Sequence, residues 1–536
     1  MFKSTTARSK AGKLSSAGAA ALLLAMAGGA HAQDVAEGLQ AGTAATRTAN
    51  LPPETTDQKL KRLQAQVEEL QAALLDLKAS SSSNFKDVRQ AAANQPTETL
   101  SNGRPSFASA DGRFSASLRG LMQLDAANYF QPTPGPVTTD LRRGATATDT
   151  ARIRDLNSGT NFRRGRIGVE GKVFGDFDYN VLLEFGGAGA EDAARIQELW
   201  LQYSGWKPFK FKIGAFIPFQ GLEDSISTNG QPFLERPAPS DATRGLAGAD
   251  TRVGAQVWVQ GDRYLASVAV TGASVSTINS TGTSTAQAFD EQLGVVGRLA
   301  GTPFKGQDWL VHVGANGSYL LRTPDVGGPD VVTPRYTAQF RERAELRVDG
   351  TRLVDTGAIE ANHAYTAGLE LAAQKKNFFI QGEAWKFGVK RRASTLSDPQ
   401  FFGWYVEGSW VLTGEPRRYN VTTATFDPPT VAKPFSLKEG NWGALELAAR
   451  YSSLDLNYHA GAAGTPTPAD GIRGGDLSIW TVGLNWYLNQ AVRFMFHVQD
   501  VEVDRPSPNP ITFQTPVGAQ IGQHYQVLSV RSQVAF

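Results

Sequence analysis

Arginine, in runs and at short spacings, is the residue of this chain best placed to do chemistry. Arg163, Arg164 and Arg166 stand almost together in FRRGRIG. Arg236, Arg244 and Arg252 follow at wider spacing, and Arg341, Arg343 and Arg347 recur within RERAELR. In an extended segment those last three fall on one side. Arg142, Arg143, Arg152 and Arg154 form an earlier cluster, and Lys210 and Lys212 share a parity. A guanidinium is a planar fork of donors that meets two oxygens of a phosphate or a carboxylate at once. A succession of forks passes a small anion along if each holds it well enough to admit it and loosely enough to release it. The other reading is that these arginines pair with Asp125, Glu170, Glu184, Glu342 and Glu345 and only stiffen a wall. Residue type alone does not separate the two.

Other chemistries find little support. There is no G-x-S-x-G, no H-E-x-x-H and no phosphate-binding loop of the Walker type. No cysteine is present, so disulfides and thiolate metal sites are excluded. After His31 the histidines are scattered at 312, 363, 459, 497 and 524. No catalytic residue, metal site or cofactor is expected, and the chain does not read as an enzyme.

The elements that must position the arginines change character along the chain. Residues 1–32 carry four basic residues, a short apolar run and Ala30-His31-Ala32, and are predicted to be a cleaved signal peptide. Removing them leaves 49 basic against 51 acidic side chains, a formal charge of −2. That balance argues against nucleic acid as a partner. Residues 33–55 read as a linker. Leu60, Leu63, Val67, Leu70, Leu74 and Leu77 follow alternating spacings of three and four, which predicts a short periplasmic coiled coil over 56–79. A Ser/Asn/Gln-rich linker is expected over 80–112.

From residue 113 to 536 the period becomes two. Trp480, Val482, Leu484, Trp486 and Leu488 oppose Thr481, Gly483, Asn485 and Tyr487. The closing YQVLSVRSQVAF places Leu528, Val530, Val534 and Phe536 opposite Ser529, Arg531, Gln533 and Ala535. One face in lipid and one in a wet lumen produces this alternation, with aromatics gathered at the two interfaces. Strands are predicted at 113–128, 162–174, 177–186, 195–204, 209–216, 252–260, 264–271 and 291–299. Eight more are predicted at 309–319, 363–374, 378–388, 402–412, 441–456, 476–488, 491–503 and 524–536. The fold class is all-β, a sixteen-stranded antiparallel transmembrane β-barrel with a short N-terminal α-helical coiled coil. Sixteen is even, as a barrel with both termini in the periplasm requires. The third external loop, 217–251, and the fifth, 320–362, are long and are candidates to narrow the channel, which sixteen strands would leave wide. The connection 413–440 is unexpectedly long for the short-turn side.

Several segments carry a family resemblance: FRRGRIGVEGKVFGDFDYNV, GWKPFKFKIGAFIPF, RLVDTGAIEANHAYTAGLELA, FFGWYVEGSWVLTGEPRRYN, GALELAARYSSLDLN and VGLNWYLNQAVRFMFHVQDVEV. The chain resembles the phosphate-selective porins, the family of porins O and P, over most of 113–536. The resemblance implies a homotrimer in the Gram-negative outer membrane that passes phosphate or polyphosphate by passive diffusion along an arginine ladder. It implies the ladder role most directly for Arg163 and Arg164. Arg166, Arg236, Arg244, Arg341, Arg343 and Arg347 are the other candidate pore-lining residues, and Arg352 lies in the same matched stretch. Outer-membrane lipid is then a partner, as is the barrel-assembly machinery, through the terminal strand that ends in Phe536. The third loop departs from the family pattern, and no lysine lies between Lys212 and Lys305. Two further readings stay open: a broad diffusion porin with weak selectivity, and an envelope-tethering barrel.

Overall fold

Alternation of large apolar and polar side chains commits a chain to strands whose two faces meet different solvents. The computed structural model of the protein bears this out. It describes residues 55–93, 97–101, 104–131, 156–187, 195–246, 251–275, 290–326, 334–508, 518 and 520–536. The signal peptide and Arg142, Arg143, Arg152 and Arg154 lie outside the described residues.

Sixteen long strands form the barrel. They are β1 (Ser115–Phe130), β2 (Gly159–Val173), β3 (Phe177–Glu184) and β4 (Arg195–Tyr203). Next come β5 (Phe209–Phe216), β6 (Arg252–Gln260), β7 (Tyr264–Ser274) and β8 (Leu293–Lys305). β9 (Trp309–Arg322), β10 (Ile359–Lys375), β11 (Phe378–Arg391) and β12 (Gln400–Val411) follow. The last are β13 (Ala444–Tyr458), β14 (Ile472–Tyr487), β15 (Val492–Asp504) and β16 (His524–Ala535). Each pairs antiparallel with the next, and β16 returns to β1 from Gln526 opposite Phe130 to Ala535 opposite Leu121. The predicted strands fall on these sixteen, with ends shifted by a few residues. At the seam the terminal Phe536 exchanges backbone hydrogen bonds with Gly120 at 2.9 and 3.0 Å. Its ring lies where a Cβ on Gly120 would stand, so a side chain there would displace it.

The parity is as expected. Leu528 and Phe536 face outward, each 46% exposed, while Ser529, Arg531 and Gln533 are buried inside. Aromatic pairs ring the short-turn end, with Phe378 stacked on Trp410 at 5.3 Å and Trp486 near Phe494 at 6.1 Å.

Three connections fold into the lumen. The third external loop carries two short helices, α2 (Leu222–Ser225) and α3 (Ala238–Arg244), and is buried along most of its length. Barrel side chains hold its backbone. Arg493 donates to the Gln231 carbonyl at 2.8 Å, Asn485 to that of Pro232 at 2.8 Å and Arg450 to that of Glu235 at 3.0 Å. The Glu383 carboxylate accepts from the backbone N–H groups of Leu222 and Glu223 at 2.8 and 2.9 Å, at the start of α2. The fifth loop docks on the third through Glu345, which accepts from the Ala238 N–H at 3.3 Å, and on the barrel wall, where the same carboxylate accepts from Ser452 of β13 at 2.6 Å and from Arg450. The long connection after β12 is a hairpin of Arg417–Asn420 and Thr425–Pro429. It turns inward: Phe426 is fully buried against Phe379 at 4.6 Å, and Arg298 donates to the carbonyls of Thr423 and Ala424 at 2.6 and 2.9 Å.

Ahead of the barrel, helix α1 runs over Thr56–Ala93, fourteen residues beyond the predicted 79. The Thr55 N–H donates to Gln58 Oε1 at 3.1 Å, one half of a capping box. No Gly or Pro interrupts the sequence until Pro96, so the serine run continues the helix. The heptad residues lie exposed along it, Leu70 at 68% and Leu77 at 69%. The segment expected to be a linker also contains a two-stranded hairpin, Thr97–Ser101 with Arg104–Ala108.

Candidate functional site

Inward parity on β2 puts Arg164 and Arg166 into the lumen, and Arg163 joins them, where they meet the two external loops. A β-bulge in the β1–β2 pairing lies between Gln123 and Leu124, opposite this run. That explains how the adjacent Arg163 and Arg164 can both be buried, which strict alternation forbids. Around them lies a cavity of about 330 Å³ lined by nine arginines and no lysine. Arg163, Arg164 and Arg166 come from β2, and Arg195 from β4. Arg236 and Arg244 come from the third loop, and Arg343, Arg347 and Arg352 from the fifth.

Carboxylates enter this cluster, but they are shared. Glu235 receives Arg163 in a bidentate pair at 2.7 and 3.0 Å. It also receives Arg164 at 3.4 Å, Arg347 at 3.7 Å and Arg531 at 2.7 Å. Asp224 lies 3.5 Å from Arg236 and 3.3 Å from Arg244. Asp241 pairs with Arg347 at 2.6 Å and with Arg244 at 3.7 Å. Arg166 pairs with Glu184 at 2.5 Å, and Arg352 with Glu342 at 3.2 Å. Arg343 enters none of the described ion pairs; its Nε donates to the Gly350 carbonyl at 3.0 Å. Among the described ion pairs, then, the lining arginines other than Arg195 outnumber their carboxylates eight to five.

The electrostatics of the loops follow from this imbalance. Burial pushes the Glu235 carboxyl up, but the guanidinium groups of Arg163, Arg164, Arg531 and Arg347 hold it well below the usual carboxylate range. Burial, and then the like charges of Arg347 and Arg352, pull Arg343 down to about 10. Burial and the neighbouring Asp241 raise Glu342.

A family model described as phosphate-selective porin O and P matches residues 141–536. The chain belongs to this family. It is an outer-membrane porin. An uncharacterized protein of Caulobacter vibrioides is 26% identical over 405 residues, covering 75% of this chain and 71% of its own. Porin O of Pseudomonas aeruginosa is 25% identical over 422 residues, covering 75% of this chain and 86% of its own. Among solved structures, the anion-selective porin from Comamonas acidovorans aligns over 79% of this chain and 100% of its own, at 11% identity and a TM-score of 0.43.

Within the porin, seven of the eight arginines singled out in sequence meet at this one cavity: Arg163, Arg164, Arg166, Arg236, Arg244, Arg343 and Arg347. Arg341 does not. It is exposed, and the segment is not extended as RERAELR suggested. Only Arg341 and Glu342 form a strand, opposite Asp355 and Val354, and the chain then turns at Glu345, whose φ is +64°. Arg252 holds the end of α3 by donating to the Gly245 carbonyl at 3.2 Å. Lys210 and Lys212 stand apart from the cavity, over the rings of Trp258 at 4.1 Å and Trp200 at 4.5 Å. Arg195 and Arg352 also line the cavity, beyond the eight arginines singled out in sequence, and Arg298, Arg417, Arg450 and Arg493 clamp loop backbone without having been among them. Inward strand parity would have found Arg298, Arg450 and Arg493; Arg195 shares the parity of the outward Leu199 and Leu201, and a β-bulge at Gln197, opposite Leu182 and Leu183, turns it inward.

Proposed function

We propose that this porin passes small anions by passive diffusion, with phosphate or polyphosphate as the preferred solute, through the arginine cavity between β2 and the two inward loops. The observation that carries the reading is the sharing of carboxylates: where Glu235 is divided among four arginines and Arg343 enters none of the described ion pairs, the cavity keeps cationic donors for a passing anion. Arg163, Arg164 and Arg166 act from the wall, and Arg236, Arg244, Arg343 and Arg347 from the loops. Oxygen-rich anions suit guanidinium forks better than halide does, because one fork meets two oxygens. No covalent step is involved. We further propose a homotrimer, with the exposed leucine seam of the N-terminal helix joined in a periplasmic coiled coil.

The test is the reversal potential of the purified porin in a planar bilayer under a KCl gradient, followed by phosphate titration on the same channel. Anion selectivity with phosphate block of the chloride current is expected. A near-zero or cation-selective potential without block would mean that the shared carboxylates neutralise the cavity and the channel is a broad diffusion pore.

A further inference from the structure

The outer wall of the barrel carries a groove that the pore does not use. Along β11 the outward residues of the apolar band include Gly382 and Ala384, which are small. Their cross-strand neighbours are large. Leu371 and Val406 flank Gly382, and Leu369 and Trp404 flank Ala384. The result is an apolar groove of about 1000 Å³ on the lipid-facing surface. Its walls stand high, with Leu369 69% exposed and Phe402 51% exposed.

Next along β11, on the same outward parity, is Lys386, directly opposite Phe402. Lys390 follows four residues on, roughly 13 Å further along the strand. Between them the Tyr365 ring lies over Gly388, where a Cβ would collide with it. β11 runs from the short-turn end at Phe378 to an external loop after Arg391, so both lysines stand at the outer-leaflet end of the groove. Lys386 is exposed and enters none of the described ion pairs; Lys390 pairs with Asp398 at 2.8 Å.

These features call for a particular lipid. A groove on a lipid face is filled by acyl chains. A lysine at the edge of the apolar band carries its charge outward along its stem to the headgroup level, where phosphate is the available anion. We propose that the groove with Lys386 and Lys390 binds the phosphorylated glycolipid of the outer leaflet, one acyl chain over Gly382 and Ala384 and one phosphate between the two ammonium groups. Tyr365 supplies the flat surface between them. The site is independent of the pore and goes beyond the anion reading.

The experiment is extraction of the full-length porin from outer membranes in mild detergent, with bound 3-hydroxyacyl lipid quantified by mass spectrometry. Four proteins are compared: wild type, K386E/K390E, K386R/K390R and A384F. Wild type and the arginine pair should retain the glycolipid, and the glutamate pair should lose it about tenfold or more. Ala384→Phe should also lose it, because the ring fills the groove while staying compatible with lipid. KCl conductance and heat-modifiable gel mobility should be unchanged in all four; if the charge-reversed barrel fails to assemble, A384F carries the test. Equal retention in wild type and the assembled variants would overturn the proposal, as would retention of an anionic phospholipid in place of the glycolipid. A change of oligomeric state in A384F without loss of lipid would also overturn it, because the groove would then be a surface between copies.

Discussion

Replacing Arg343 by alanine probes the charge surplus more cleanly than any other change in the cavity. Arg343 lines the cavity and enters none of the described ion pairs, so no buried carboxylate is orphaned when it is removed. The loss to the fold is one hydrogen bond to the Gly350 carbonyl, about 1 kcal/mol. The loss to a bound anion is larger. Two unit charges 4 Å apart attract by about 1 kcal/mol in bulk water and about 4 kcal/mol at an effective dielectric of 20. The cavity opens to water and salt screens it, which favours the lower part of that range. We therefore expect about 1–2 kcal/mol, or roughly 5- to 30-fold weaker phosphate block. The assay is inhibition of single-channel chloride current by phosphate at fixed ionic strength, with the reversal potential read on the same channel. Arg163→Ala is the contrast. Its bidentate pair with Glu235 is buried on both sides, and breaking such a pair costs on the order of 3–5 kcal/mol when the remaining charge is left alone. Glu235 keeps Arg164, Arg347 and Arg531, so the cost should fall below that range. R163A should thus lower both block and loop stability, whereas R343A lowers block and takes from the loop only the bond to Gly350. An R343A channel with unchanged block and unchanged reversal potential would refute the claim that unshared guanidinium charge selects the solute.

Arg341→Ala should leave selectivity as it is, since Arg341 is exposed and outside the cavity; a shift in reversal potential comparable to that of R343A would contradict this placement. Glu235 fixes the acid behaviour of the third loop. Its folded-state pKa is depressed, so its contribution is complete at pH 7, persists through about pH 4.5 and is lost only as pH falls through the lower folded value. Limited proteolysis of the third loop should therefore give the same pattern at neutral pH and at about pH 4.5, and new cleavage at about pH 4.5 would show that a group other than Glu235 sets the acid response of the loop. In the N-terminal helix, L70N/L74N should weaken the oligomer on cross-linking while single-channel conductance stays constant. An unchanged oligomer would remove the coiled-coil proposal.

The barrel was legible because its physics is local. Lipid outside and water inside impose a parity on every strand, and that parity, with the family resemblance beside it, placed sixteen segments. The loops were not legible in the same way. Glu235 is held by Arg163, 72 residues earlier, and by Arg531, 296 residues later, and no short-range pattern announces either partner. RERAELR shows the limit in miniature. Its arginines share a parity, but the left-handed turn at Glu345 sends that carboxylate to Arg450 and Ser452, while Arg343 and Arg347 go to the cavity and Arg341 to solvent. The connection after β12 was too long for its side of the barrel. The reason is that Arg417 and Phe426 bury inside, against Glu446 and Phe379, and the chain must travel inward and back.

Arginine does two jobs in this lumen, and carboxylate sharing tells them apart. Arg298 with Glu370 at 2.8 Å and Arg417 with Glu446 at 2.7 Å are fully buried pairs, and each arginine also holds loop backbone. A buried charge without a partner is costly, and these two clamps each have an acid of their own, whereas the Arg493 clamp rests on neutral acceptors, the Gln231 carbonyl and Gln533. Around the cavity that cost relaxes, because water and a passing anion replace the missing acid. Arg298 and Arg417 thus pin loops with matched acids, while the arginines around the cavity share too few. Glu235 lies at the boundary between the two regimes. It joins Arg531, itself clamped by Asp125 at 2.6 Å, to Arg163, Arg164 and Arg347 on the cavity wall. Replacing it by glutamine should raise the positive charge of the cavity and loosen the third loop together, giving stronger phosphate block with noisier current. Stronger block without added noise would mean that the backbone clamps from Arg450, Arg493 and Asn485 suffice to hold the loop.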